Sequence, residues 1–182
     1  TLTMFWQEKS EEKSFQLTDE VVDLSFKLNC KVLPLDHAWA LSSALIEAAP
    51  WLKQARHSAI HLIHGAESGN GWMRPDDDEN ALLHLSRRTR FTLRVHQEDL
   101  DRGQELMGLQ LDIDGYPLTI GAYKQQLLVP QGTVFARHVI TDPELDEDAF
   151  LYQVAPQIES LGIKISKMMG GRPHRFHTPQ GE

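Results

Sequence analysis

An α+β fold is expected for this chain, because strand-like and helix-like patterns alternate along its 182 residues. Residues 21–32 and 82–95 alternate apolar with polar side chains, which is typical of half-buried strands. Residues 36–49 place apolar side chains three and four apart, which is typical of an amphipathic helix. The composition, 41% hydrophobic and 24% charged, is that of a globular protein and excludes disordered and collagen-like classes.

The first helix and the strands that follow it have recognisable limits in the sequence. Asp36 is the expected cap of the helix, and Pro50 is the expected stop. A short strand is predicted over residues 59–64. It precedes a glycine-rich, charged loop in which Trp72 would either stack on a base or pack in the core. The strand at 82–95 then points one apolar face inward and one cationic face outward.

The next elements complete a recognisable order. Residues 96–107 suggest a short helix with Leu100, Leu106 and Met107 facing inward, and residues 109–121 suggest a hairpin that turns at Asp114 and Gly115. Strand, helix, strand, strand, helix and strand is the order of a ferredoxin-like (RRM-like) βαββαβ domain, here predicted over residues 20–125.

A second region, residues 133–182, begins the same pattern again. Strands are predicted at 135–140 and 163–169 around a helix at 146–162, which Pro156 should make irregular. This is an incomplete ferredoxin-like unit. Either the chain continues beyond Glu182, or a shortened half packs on its neighbour.

The distribution of charge suggests a polyanionic partner more than the net charge of −8 does. Residues 84–96 hold four Arg and no acid, and residues 164–177 hold two Lys, two Arg and no acid. Such segregation suits a protein that holds a phosphate backbone along one groove. Simple patterning for solubility explains the charges nearly as well. The side chains of Arg88, Arg90 and Arg94 would share one strand face without an acidic neighbour in sequence, which favours phosphate contacts over an idle exposed face.

The cysteine content and the absence of long apolar segments predict the cellular compartment of the protein. A single cysteine, Cys30, excludes an internal disulfide and a multi-thiolate metal site. No apolar run is long enough for a membrane span, and the first residues carry charges where a signal peptide would be apolar. A cytoplasmic protein with no membrane association is expected.

Histidine is the side chain that exchanges protons near neutral pH, and the chain has nine. His37 stands at the expected start of the first helix, where it could project into a cleft, although position alone favours a partly exposed first-turn residue. A metal site is a weaker alternative, built from His57, His61 and His64 with Glu67. If 59–64 is a strand, His61 and His64 point to opposite faces, so no metal is expected.

Three ordered blocks, residues 21–45, 61–72 and 82–95, together resemble the CRISPR-associated precursor-crRNA endoribonucleases, in particular their compact MYXAN-subtype branch. The resemblance covers most of residues 20–177. It implies two ferredoxin-like units with an RNA groove, and metal-independent, cofactor-free cleavage of each repeat of the precursor transcript. The family usually has a glycine-rich loop near the C-terminus, whereas this chain offers only Gly170 and Gly171 there.

The resemblance also assigns roles to residues. It implies that His37 is the catalytic base or acid, with His64 as the second choice, and that Arg88 or Lys167 stabilises the phosphoryl charge. The products would be a 2′,3′-cyclic phosphate and a 5′-hydroxyl. The residues expected to bind repeat RNA are Arg87, Arg88, Arg90, Arg94, Lys167, Arg172, His174 and Arg175.

Two other functions compete with this one. The chain could be a non-catalytic subunit of an interference complex that binds repeat RNA alongside other subunits, or a metal-dependent hydrolase that uses the histidine group. The nuclease hypothesis requires the imidazole of His37 to open beside a groove lined by Arg88 and its neighbours. A ring buried in the interior would favour the binding role.

Overall fold

The computed structural model describes residues 20–65, 81–136, 139–142, 144–170 and 178–179. The chain divides into two compact units, one up to Gln131 and one from Gly132 onward. The strands of the first unit are β1 (Val21–Asn29), β2 (Val32–Pro34), β3 (Ala59–Ile60), β4 (Leu82–His84), β5 (Arg90–His96), β6 (Gln110–Ile113) and β7 (Tyr116–Leu127). Its helices are α1 (Ala38–Ala48) and the 3-10 helices Pro50–Lys53 and Gln97–Leu106, and α2 (Glu147–Ser160) belongs to the second unit.

Five strands form one antiparallel sheet in the order β3-β5-β1-β7-β6. The first four of these follow the order of the ferredoxin-like fold, with β1 between β5 and β7, and β6 adds an edge strand. The predicted fold class is therefore confirmed.

The core lies on one face of this sheet. Val22, Leu24 and Phe26 of β1 are fully buried, and Phe26 stacks on Phe91 of β5 with ring centroids 5.8 Å apart. Leu41 and Leu45 of α1 belong to the same apolar cluster. Burying a side chain of this size contributes about 1.5–3 kcal/mol. The polar residues that alternate with them, such as Asp23 and Lys27, lie on the opposite face.

The hairpin between β6 and β7 confirms its prediction. Ile113 pairs with Tyr116, and the two residues between them, Asp114 and Gly115, have φ angles of 52° and 85°. Positive φ at both positions is the geometry that Asp-Gly favours in a two-residue turn. The side chain of Asp112 closes the turn by accepting a hydrogen bond of 2.7 Å from the amide of Gly115.

The predicted strand over 82–95 is wrong in its extent, because a turn divides it into β4 and β5. The amide of Thr89 donates to the carbonyl of Ser86 at 3.0 Å, and the Thr89 hydroxyl accepts from the Ser86 amide at 3.1 Å. β4 pairs with β2 in a separate two-stranded ribbon. In the alternating pattern, Arg87 falls on the side that would face the core. A charged side chain is unfavourable there, so one continuous half-buried strand does not form.

The predicted helix at 96–107 is a 3-10 helix, and it lies very close to β1. Leu106 is fully buried, but Met107 is 42% exposed, so its predicted inward position is wrong. A Cβ atom at Gly103 would lie 2.4 Å from Cδ1 of Leu24. A residue with a Cβ at this point of contact would therefore have to displace the side chain of Leu24.

The second unit contains the predicted helix α2. Its N-cap is Asp146, whose carboxylate accepts a hydrogen bond of 2.7 Å from the amide of Ala149, and Pro156 lies inside the helix. The described residues within 135–140 and 163–169 are not in strands, in contrast to the prediction. Throughout the described part of the chain, no helix is long and apolar enough to cross a membrane.

Candidate nucleic-acid interface

Basic side chains collect on the polar face of the five-stranded sheet. Lys27 of β1 pairs with Arg90 of β5, and Ser25 of β1 pairs with Lys124 of β7. Residues that pair directly across strands point to the same face, so these three cations share one surface, and all three are exposed. Sequence reasoning missed Lys27 and Lys124, although the alternation in residues 21–32 already placed Lys27 on the polar side.

Arg94 is less available to phosphate than predicted. Its guanidinium donates two hydrogen bonds to the carboxylate of Asp23, at 2.8 Å and 2.9 Å. This pairing raises the pKa of Arg94, chiefly through the hydrogen bond to Asp23. The expectation that no acid lies against this arginine face is wrong, because Asp23 reaches Arg94 from the neighbouring strand and not from the nearby sequence.

The other three arginines of this segment lie at or beside the turn between β4 and β5. Arg90 Nη1 donates to the carbonyls of Arg87 and Thr89, at 3.0 Å and 2.8 Å, which holds the turn and its own side chain together. Arg87 and Arg88 are exposed, and their side chains form no ion pair with a described residue. They are the arginines most open to a ligand here.

His37 occupies the N-cap position of α1, where the prediction placed Asp36, and its ring is buried. Its Nε2 accepts a hydrogen bond of 3.1 Å from the amide of Ile63. Its Nδ1 lies 2.9 Å from the carbonyl oxygen of Pro34 and 3.2 Å from that of Leu35, so a neutral ring protonated at Nδ1 satisfies every contact.

The electrostatic surroundings of His37 also favour the neutral ring. Burial lowers the pKa of His37, while the carbonyls of Pro34 and Leu35 and the charge of Asp36 oppose that shift only in part. The imidazole thus links the start of α1 to the strand segments around it. In this conformation it presents no free nitrogen to a ligand.

His37 and Arg88 are also separated along the ribbon of β2 and β4. The amide of Leu35 donates to the carbonyl of Ala81 at the end near His37, whereas the amide of Leu85 donates to the carbonyl of Lys31 at the end near Arg88. Four residues of strand span about 13 Å. The expectation of an open His37 ring is wrong, because the ring is buried, and the catalytic role of His37 stays a prediction.

The other predicted site residues are distributed over both units. His64 is half-buried and follows Ile63, the residue bound by the His37 ring. Lys167 is exposed in the second unit. Arg172, His174 and Arg175 lie outside the described residues, as do Glu67 and Trp72. The roles assigned to them remain predictions.

The histidines considered for a metal site have different surroundings. His57 is exposed, whereas His61 is half-buried, and burial lowers the pKa of His61, opposed by the charge of Asp23 and reinforced by that of Arg94. Its Nε2 has no hydrogen-bond partner within the described chain. Among the residues that the structure describes, no three His, Cys, Asp or Glu side chains are grouped to hold a metal ion.

Comparisons with known proteins agree on one relationship. The sequence model of the Cas6 CRISPR family matches residues 22–182. The CRISPR-associated endonuclease Cas6 of Myxococcus xanthus (strain DK1622) is 30% identical over 151 residues, which cover 83% of this chain and 61% of that protein. This chain thus spans about three fifths of the length of that relative.

A solved structure titled CRISPR associated protein Cas6 resembles this chain with a TM-score of 0.50 at 13% identity. The superposition covers 86% of this chain and 80% of the other. At this low identity the likeness concerns the fold alone, and it agrees with the ferredoxin-like sheet described above.

Proposed function

The chain belongs to the Cas6 family of CRISPR proteins, and we propose that it is an endoribonuclease that processes CRISPR repeat RNA. The observation that carries this proposal is the 30% identity, over 83% of the chain, to a protein named as a CRISPR-associated endonuclease. The exposed cations Arg87, Arg88 and Lys27 support it, because they offer charge to an RNA backbone. The protein would act in the cytoplasm, alone or with other subunits of an interference complex.

The proposed reaction is an internal transesterification that needs no metal ion. The 2′-hydroxyl oxygen bonds to the adjacent phosphorus as its proton passes to a base, and the bond from phosphorus to the 5′-oxygen breaks as that oxygen takes a proton from an acid. The products are a 2′,3′-cyclic phosphate and a 5′-hydroxyl. Proton transfer by positioned side chains accelerates such a step about 10²- to 10⁴-fold, and a cation must stabilise the phosphoryl oxygens.

His37 can serve as the base only after a local rearrangement. Its Nε2 is occupied by the amide of Ile63, so RNA binding would have to break this hydrogen bond before Nε2 could accept a proton. Leaving a buried amide unpaired costs about 1–3 kcal/mol, which RNA contacts must offset. If His37 stays buried, its role is to fix Ile63 and thereby the position of the next residue, His64, which is then the proton carrier.

A substitution that keeps the hydrogen bond distinguishes these roles. In His37→Gln the amide oxygen can still accept from the Ile63 amide, but the side chain cannot exchange protons near neutral pH. A catalytic His37 predicts that His37→Gln unfolds at the wild-type temperature but cleaves about 10²-fold or more slowly. A purely positioning role predicts near wild-type cleavage by His37→Gln and a loss only in the less stable His37→Ala.

The assay is single-turnover cleavage of repeat RNA in excess EDTA, with a 2′-deoxy nucleotide at the scissile position as the chemical control. His64→Ala is measured in parallel, and His84→Ala, an exposed histidine of β4, is the matched control. Cleavage of the deoxy substrate, or loss of activity in EDTA, would contradict the proposed chemistry.

The burial of the His37 ring favours one alternative function. A chain without a working proton carrier would still bind repeat RNA through its exposed arginines and would act as a non-catalytic subunit. Salt-sensitive binding of repeat RNA without any cleavage by the wild-type protein would establish this alternative.

A further inference from the structure

A cleft at the other end of α1 is lined by two arginines and two histidines together with the carboxylates of Glu98 and Asp99. The cleft has a volume of about 390 Å³ and lies between residues 54–57 and residues 96–102. His37 immediately precedes α1, whereas this cleft begins beyond its last residue, Ala48. A helix of this length spans about 16 Å, so the cleft is well separated from His37.

Two histidine rings face each other in this cleft. β3 and β5 are paired with Ala59 opposite Arg94; His57 lies two residues before Ala59, and His96 lies two residues after Arg94. Their ring centroids are 6.2 Å apart. His57 has a φ of 56°, a left-handed conformation that costs a residue with a Cβ about 1–2 kcal/mol. Such strain is retained more often at ligand sites than elsewhere.

A hydrogen bond from the backbone defines which nitrogen of the neutral His96 ring carries the proton. Its Nδ1 accepts a hydrogen bond of 3.3 Å from the amide of Glu98, so the neutral ring carries its proton on Nε2. The Glu98 carboxylate lies 3.6 Å from the same Nδ1, and the Glu98 side chain is 87% exposed. Nε2 of His96 can therefore donate a hydrogen bond to an acceptor.

Two arginines complete the cleft. Arg102 is held in place, because it contacts Asp99 at 3.5 Å and lies over the ring of Trp51 at 5.6 Å. Arg56 is exposed and has no ion pair with a described residue. Asp99 is thus paired with Arg102, and the Glu98 carboxylate lies beside His96, so Arg56 is the guanidinium of the cleft without an ion pair to a described residue.

We propose that this cleft binds a phosphate group of the RNA backbone, with His57 and His96 donating hydrogen bonds to its oxygens and Arg56 supplying a guanidinium that is not ion-paired with a described residue. The arginines disfavour a metal cation at the same place. That the phosphate belongs to RNA rests on the proposed function, whereas the affinity for phosphate does not. The site would hold a part of the repeat RNA at a distance from the His37 end of α1.

The test combines two measurements on the full chain. The imidazole resonances of His57 and His96 are followed by NMR during titration with inorganic phosphate, and repeat RNA binding is measured by fluorescence anisotropy. The resonances are assigned with His57→Asn, which tolerates the positive φ, and His96→Asn, which keeps an acceptor for the Glu98 amide. Arg56→Gln is compared with Lys53→Gln, the same charge change at an exposed lysine outside the cleft.

We expect both resonances to shift with phosphate. We also expect Arg56→Gln and His57→Asn to bind repeat RNA about tenfold more weakly, with a salt dependence reduced by about one phosphate contact, while Lys53→Gln binds as the wild type does. This result supports the site whether or not the RNA is cut, so a failure of cleavage would reject only the proposed function. Phosphate shifts with unchanged RNA binding would overturn the RNA assignment in favour of a free phosphate compound. No shift and no loss of RNA binding would overturn the site.

Discussion

The two units of the chain use apolar residues in different ways. In the unit up to Gln131, Leu24 and Phe26 of β1 are fully buried in the apolar cluster, where Phe26 stacks on Phe91 of the paired strand β5. In the unit from Gly132 onward, α2 has no buried residue, and Ile140 and Tyr152 are 99% and 83% exposed. Both regions are rich enough in apolar residues to suggest a core from sequence. The difference shows that apolar residues form a core only where neighbouring elements pack them against one another.

The largest effect that tests this comparison is on the free energy of unfolding. Phe26→Ala should lower it by about 3–5 kcal/mol, because the ring stacks on Phe91 in a closed core. Ile140→Ala should change it by less than about 0.5 kcal/mol, because the side chain is exposed. Urea denaturation followed by circular dichroism measures both. Comparable losses would mean that the second unit also contributes to a cooperative core.

Two glycine substitutions test the same comparison, with an intermediate expected effect on the free energy of unfolding. Gly103→Ala should lower the free energy of unfolding by about 1–3 kcal/mol, because its Cβ would overlap the side chain of Leu24. Gly132→Ala should be nearly neutral, since no atom lies within 4 Å of its Cβ position. Thermal unfolding of the two variants provides the measurement. A neutral Gly103→Ala would show that the Leu24 side chain or the 3-10 helix Gln97–Leu106 can move aside.

The smallest expected effect is on the pH dependence of stability, and it again concerns the first unit. Burial lowers the pKa of His37 below its ordinary value of 6.5, so the folded state binds a proton less readily than the unfolded chain. The associated stability is present above pH 6.5 and is lost as the pH falls through that value toward the folded pKa. Thermal unfolding between pH 8 and pH 5 should therefore show a smaller decline in His37→Gln than in the wild type.

A parallel series with His61→Gln separates the contribution of the other histidine whose pKa burial lowers. Equal pH dependence in the wild type and His37→Gln would place the His37 ring in a more solvated position than the structure shows.

Local patterns predicted the elements, and distant contacts decided the site. The alternation in residues 21–32 and the Asp114–Gly115 turn depend on neighbouring residues only, so the sequence was sufficient to predict β1 and the hairpin. The ion pair of Arg94 joins residues 71 apart, and the hydrogen bond from Ile63 to His37 joins residues 26 apart. No periodicity encodes such partners. The ion pairing of Arg94 and the burial of His37 therefore could not be predicted from the sequence alone.

The position of β1 has a consequence for the newly made chain. β1 is synthesised before β5 and β7, yet it lies between them, and Val22 finds its partner Leu127 only at the end of β7. Until synthesis has passed that residue, one edge of the central strand lacks its neighbour. Pairings of this kind form slowly, and an open apolar strand is prone to aggregation. A chaperone that covers this strand during the interval should therefore raise the yield of folded protein.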